Sequence, residues 1–361
     1  MGDLEVYGAD AKVVATRAEI ERVRRELEEV ARWLEGQVQF DDFLSDPLAR
    51  VGLAMEVPLF RERISSVQLA LVQAAESYFS TEASATLQFE QHFALDVPAI
   101  AALAVGLGSA SLTPESPGLF AEKPVYATQV GEPRYSLPPN SVVSMARRLQ
   151  ETANLDKPTI RIERFGKNVV VFVPGTRTWS LGSGKDPLDV TSNLRAMAGP
   201  DSKAGSQRAL SQALRAANVG RGDRVIFVGH SQGGMIAANL ASKPQPYRIT
   251  GLVTFGAPLA QLEGKLKVPD LAIQHNGDLV PKLPMKVNPI AENWATVATD
   301  APNDESLGSK HELSGYRQTA LKVDQSTSPG LKRIREIFTG FAGEDVGEVR
   351  WFELARSVRA G

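Results

Sequence analysis

The residues best placed for chemistry are Gly229-His230-Ser231-Gln232-Gly233. An apolar run opening at Arg224 precedes them and an apolar-periodic segment ending at Ala241 follows, so the stretch reads as strand, sharp turn and helix. A serine exposed on a strained turn needs neighbours without bulk two positions before and after it, and Gly229 and Gly233 meet that need. In such a turn the hydroxyl is a nucleophile in waiting. The N–H of Gln232 then points at a developing oxyanion, and the helix adds its positive end. A bare Gly-x-Ser-x-Gly carries little weight, and an incidental surface serine is the bland alternative; the strand-to-helix setting is what raises the first reading above it.

A serine hydroxyl attacks poorly at its own pKa. It needs a histidine base, and the histidine needs a carboxylate to fix its tautomer and stabilise the imidazolium. Four histidines are available, His92, His230, His275 and His311. For the carboxylate, Asp278 lies in His275-Asn276-Gly277-Asp278-Leu279-Val280-Pro281, a glycine-containing turn directly after a predicted strand. Its rivals are Asp270, before that strand, and Asp300 and Asp304, in the polar loop before His311.

The segment around Ser231 resembles the nucleophile elbow of the α/β-hydrolase superfamily, and Gly229-His230-Ser231-Gln232-Gly233-Gly234 is similar to the GHSxGG form of lipases and esterases. Gly277-Asp278-Leu279-Val280-Pro281 resembles the Gly-Asp-x-Val-Pro segment after the acid strand of class 3 (fungal-type) lipases, and His311 followed by Tyr316 resembles their histidine turn. Pro174-Gly175-Thr176-Arg177 looks like the position where that group carries Gly-Ser or Gly-Thr. The resemblance spans residues 165 to 320. It implies the chain order serine, acid, histidine, which removes His92. His230, beside the nucleophile, is expected to turn away and pack, and His275 lies too close to the acid, which leaves His311. The implied site is Ser231, Asp278 and His311, with an oxyanion hole from the N–H groups of Thr176 and Gln232, the Thr176 hydroxyl being a further candidate donor. The implied activity is ester cleavage through an acyl-enzyme. Thioesterase, phospholipase, amidase or acyltransferase chemistry on the same triad stays open, as does an inactive hydrolase-fold secretion or interaction module.

Composition narrows the field. At 361 residues with 43 % hydrophobic content the chain can bury a full core, and 40 basic against 42 acidic residues leave no field to draw it to nucleic acid. The absence of cysteine excludes a disulfide framework, a cysteine nucleophile and thiolate metal sites. His311-Glu312 lacks the second histidine of a zinc helix, and Gly182-Ser183-Gly184-Lys185 lacks the first glycine and the Ser/Thr of a phosphate loop, so neither metal nor cofactor is expected. The start, MGDLEVYGADAK, has no basic and apolar signal pattern, and no apolar stretch is long enough to span a bilayer. The expected location is cytoplasmic as synthesised, with any export by a leaderless route.

The elements that must hold these residues follow from periodicity. Thr16 to Gly36 and a run after Pro58 read as two long amphipathic helices, an expected all-α hairpin domain over 1–107. Trp33-Leu34-Glu35-Gly36 and Ala74-Ala75-Glu76-Ser77-Tyr78 are loosely similar to the helical-hairpin (WXG100-like) proteins of type VII secretion, with an extra residue between Trp and Gly. That resemblance implies a small helical partner or self-association through these helices. Residues 108–139, rich in Ser, Pro and Gly, read as a connection. From 140 to 361 strands and helices alternate, beginning with a helix capped by Asn140, and predict a doubly wound, mainly parallel sheet of α/β-hydrolase type. Residues 179–199 are expected to form a surface loop or a short lid carrying Trp179, Leu181, Leu188, Leu194 and Met197.

Overall fold

The computed structural model describes residues 5–8, 123–177, 184–197, 199–276, 278, 280–282, 284, 288–289, 291–302 and 310–357. Apart from Glu5–Gly8, the expected helical hairpin over 1–107 lies outside the described residues.

The apolar run Asn168–Val173 (β4) is buried on both faces, as a continuous β-branched and aromatic segment should be. Val169, Val171 and Val173 enter one core while Val170 and Phe172 enter another. The neighbouring strand Arg224–His230 (β5) repeats the division, with Val225 and Phe227 on the first side and Ile226 and Val228 on the second. This is the two-residue period of a strand sandwiched between helical layers, each fully buried side chain contributing about 1.5–3 kcal/mol. The first layer holds helices Val190–Met197 (α2), Gly205–Ala216 (α3) and Gln232–Ala241 (α4), through side chains such as Leu210 and Ile236. The second holds Val142–Ala153 (α1), Leu313–Gln325 (α5) and Pro329–Thr339 (α6), through Leu149, Tyr316 and Phe338.

The remaining strands are Glu5–Gly8 (β1), Val125–Ser136 (β2), Thr159–Phe165 (β3), Arg248–Phe255 (β6), Asp270–Asn276 (β7), Trp294–Asp300 (β8) and Gly347–Arg356 (β9). They form one nine-stranded sheet in the order β1-β8-β7-β6-β5-β4-β3-β9-β2. The centre, β4 through β8, is parallel. Both flanks are antiparallel: β1 on β8 at one side, and β3, β9 and β2 at the other. The molecule is thus an α/β protein with a mixed sheet whose parallel part lies in the middle.

Three expectations need correction. Residues 125–136, placed in the connection, are the edge strand β2. A register shift between Val130 and Arg134, at Gly131 with φ 69°, interrupts the alternation that would have marked it, and most of its side chains are exposed. The N-cap of α1 is Ser141, not Asn140: Ser141 and Ser144 form a reciprocal capping box, and Asp324 accepts from the Val142 and Val143 N–H groups. Within 179–199, residues 190–197 are helical; Leu188 and Ala196 are core residues and Met197 packs partly buried against them, so this part of the segment is no lid. Trp179 and Leu181 lie outside the described residues, as does the Leu194 side chain. No helix among the described residues is long and apolar enough to cross a membrane.

Candidate active site

Ser231 stands between β5 and α4 with φ 52° and ψ −124°, a conformation that side chains other than glycine rarely adopt. Its N–H donates to Phe255 O at 2.9 Å, which extends the β5–β6 ladder by one rung and fixes the turn to the sheet. The flanking glycines are dictated by contact. A Cβ on Gly229 would lie 2.5 Å from Gly234 N, and one on Gly233 would lie 2.0 Å from Val173 O, so neither position admits a side chain. Ser231 is buried to 2 % exposure, and its side chain does not cap the helix it precedes.

Asp278 and His311, the expected acid and base, meet. His311 Nδ1 donates to Asp278 Oδ2 at 2.7 Å. Asp278 is held in turn by the Val280 N–H at 2.9 Å on Oδ1 and by the Tyr316 hydroxyl at 2.5 Å on Oδ2. With Nδ1 carrying the proton, His311 Nε2 presents a lone pair; it is buried and has no hydrogen-bond partner among the described residues. The His311 ring lies 4.7 Å, centroid to centroid, from that of His230, the residue preceding Ser231. His311 is therefore brought to the turn that carries Ser231, without a hydrogen bond between Ser231 and His311.

Two other histidines make structural contacts. His275 donates from Nδ1 to Lys310 O at 2.7 Å, has its Nε2 2.9 Å from Thr319 Oγ1, and stacks on Tyr316 at 3.8 Å. Burial lowers its pKa. His230, expected to turn away from Ser231 and pack, packs against His311. Its Nε2–H donates to the His311 carbonyl at 2.9 Å, so it braces the loop that carries the base. Desolvation, helped by the neighbouring His311, lowers its pKa to about 3 and keeps it neutral. His92 lies outside the described residues. Among the rival acids, Asp270 opens β7 at the opposite end from Asp278; burial raises its pKa well above the usual carboxylate range, and its bonding partner is the Thr254 hydroxyl. Asp300 accepts from Asn276 at the exposed end of β8, and Asp304 lies outside the described residues.

Thr176, just past β4, and Gln232, the first residue of α4, lie side by side next to Ser231. Thr176 Oγ1 donates to Gln232 Oε1 at 3.2 Å. Gly175 permits the approach, since a Cβ there would fall 2.9 Å from His230 Nδ1 and 3.0 Å from Ser231 Cβ. The N–H groups of Thr176 and Gln232 donate to no acceptor among the described residues.

The sequence reading missed the Tyr316 hydroxyl on Asp278, the His230 brace and the side chains around Gln232. Local signals existed for two of these residues, His230 beside the serine and Tyr316 in the family-like histidine turn, but not for the contacts they make. No group of three His, Asp or Glu among the described residues is arranged to hold a metal ion. No protein-family model matches the chain, and no curated protein or solved structure matches it either.

Proposed function

We propose that this protein is a serine hydrolase of α/β-hydrolase type that cleaves carboxylic esters, as the resemblance of residues 165–320 to class 3 lipases implies. The observation that carries the reading is His311: its Nδ1–H is held by a carboxylate while its buried Nε2 lone pair is unclaimed, one ring away from a strained serine. In the reaction Ser231 Oγ attacks the ester carbonyl and its proton passes to His311 Nε2. Asp278 stabilises the imidazolium, and the Thr176 and Gln232 N–H groups receive the carbonyl oxygen as it becomes an oxyanion. His311 returns the proton to the departing alkoxide, and water activated by the same imidazole then releases the acid and frees Ser231.

Labelling with a fluorophosphonate, followed by mapping of the modified peptide, tests the assignment together with turnover of short p-nitrophenyl esters. Ser231→Ala is expected to abolish labelling and to lower turnover by roughly 10⁴-fold or more while the protein stays folded. Labelling elsewhere, or undiminished hydrolysis by Ser231→Ala, overturns the proposal. A folded wild-type protein that takes no label points instead to a non-catalytic interaction module. A panel of esters, thioesters and phospholipids separates the chemistries that share this triad.

A further inference from the structure

Gln232 contributes more than a backbone amide. Its side chain is fully buried, and its Nε2 donates to Asp189 O at 3.3 Å and to Ser206 Oγ at 3.4 Å. A main-chain carbonyl only accepts, so the amide nitrogen must face Asp189 and the amide oxygen must face Thr176. The Thr176 hydroxyl also receives a hydrogen bond from Asn193 Nδ2 at 3.4 Å, which leaves its own proton for Gln232 Oε1 at 3.2 Å. The far end of this chain is anchored. Asp189 accepts the Ser192 N–H at 2.8 Å at the start of α2, and both of its oxygens take the guanidinium of Arg356, the last residue of β9, in a pair buried on both sides.

We propose that the Gln232 carboxamide is a latch that positions Thr176 for the oxyanion hole, so that the Thr176 hydroxyl is spent on the latch and the two backbone N–H groups are the donors to substrate. The inference rests on the hydrolase reading of Ser231 and names how its oxyanion side is held. Gln232 and Thr176 lie on different strand-to-helix turns, after β5 and β4; the turns pack closely where Gly233 meets Val173 O, and the Thr176–Gln232 side-chain hydrogen bond is what ties Thr176 itself to the second turn. Losing the tie lets the Thr176 N–H drift from the place where charge develops, and a misplacement of about 1 Å is enough to cost roughly 10²-fold in rate. Substrate affinity in the ground state changes little, because the N–H groups themselves survive.

A double-mutant cycle on Thr176→Val and Gln232→Leu, read by fluorophosphonate labelling rate and by kcat and KM on one ester, tests this. Each single change is expected to lower kcat and labelling by about 10- to 100-fold with KM nearly constant, and the double variant is expected to lose no more than the worse single one. Thr176→Ser, which keeps the hydroxyl, is expected to stay within a few-fold of wild type. Gln232→Glu keeps the size of the side chain but turns an acceptor toward the Asp189 carbonyl, and serves if Gln232→Leu does not fold; it is expected to lower kcat like the leucine. If the hydroxyl itself binds the oxyanion, Thr176→Val is slow while Gln232→Leu, which releases the hydroxyl, is not. That result, or strictly additive losses, sinks the latch and leaves the hydrolase reading standing. A wild type that neither labels nor turns over ester sinks both.

Discussion

The backbone at Ser231 predicts a trade of stability for chemistry that two substitutions measure. With φ 52° and ψ −124° the serine occupies a region that costs an L-residue about 1–3 kcal/mol. Ser231→Ala removes the hydroxyl and keeps the Cβ, so it keeps the strain. Ser231→Gly removes the hydroxyl and the strain together, against an added unfolded-state freedom of roughly 0.5–1 kcal/mol. The glycine variant is therefore expected to be more stable than the alanine variant by about 1.2 kcal/mol, the middle of the roughly 0–2.5 kcal/mol that the two effects span. At about 2–4 °C per kcal/mol for a domain of this size class, its melting temperature should stand roughly 2–5 °C higher. Thermal and urea unfolding of the two proteins side by side read the difference, and ester turnover should be lost equally in both. A glycine variant no more stable than the alanine one would mean that the turn is unstrained, and the argument from the elbow geometry would fail.

Two further sets of variants address the acid and its surroundings. Asp278→Asn should lower kcat by about 10⁴-fold, because the amide no longer holds His311 in the Nδ1–H tautomer. Tyr316→Phe should cost stability more than rate: it deletes a hydrogen bond to a buried carboxylate, about 1.5–3 kcal/mol by urea unfolding, while His311 keeps its acceptor. A folded Asp278→Asn with near wild-type kcat, or a Tyr316→Phe that unfolds at the wild-type urea midpoint, contradicts these roles. For pH, His230 titrates near 6.5 when unfolded but near 3 when folded, so the unfolded chain binds the extra proton and stability falls as pH drops from about 6.5 toward 3. Asp270 and Glu163, whose pKa values burial raises, act in the opposite sense, so the test is a difference. The unfolding free energy of wild type should fall more steeply between pH 7 and 5 than that of His230→Gln, and equal slopes would show that His230 is not held neutral.

The parts of this site that were legible in the sequence are those written locally. Gly229 and Gly233 announce the elbow because the contacts that forbid a side chain, with Gly234 N and Val173 O, follow from a strand that turns straight into a helix. The β4 run announced its double burial because every residue after Asn168 is apolar. Asp278 and His311 were recoverable from their places after strands and in a family-like turn. What was illegible depends on chain-distant pairing. Arg356 meets Asp189 across 167 positions, and nothing near either residue signals the other. The edge strand β2 has a bulge and few buried side chains, so its pairing with β9 and not its own pattern defines it. The order of strands in the antiparallel flank is illegible for the same reason, because β9 returns from the end of the chain to lie between β3 and β2.

Strand order explains why these residues converge. β5, which carries Ser231, has β4 on one side and β6 on the other, and all three are parallel, so their carboxyl ends open at the same edge. The β4 end brings Gly175 and Thr176 beside Ser231. On the other side the end of β6 leaves room for a neighbour: Gly256, at φ 58°, has the Tyr316 hydroxyl 2.9 Å from where a Cβ would stand. Tyr316 thereby reaches past β6 to the carboxylate that follows β7. Asp278 can thus come from two strands away and still lie within reach of His311, because the residue after β6 has no side chain. A methyl at Gly256 would push Tyr316 off Asp278, and through Asp278 it would move His311. The placing of Ser231, Asp278 and His311 is in this sense a property of the whole parallel edge, in which a glycine far from all three in sequence sets how near Asp278 can come.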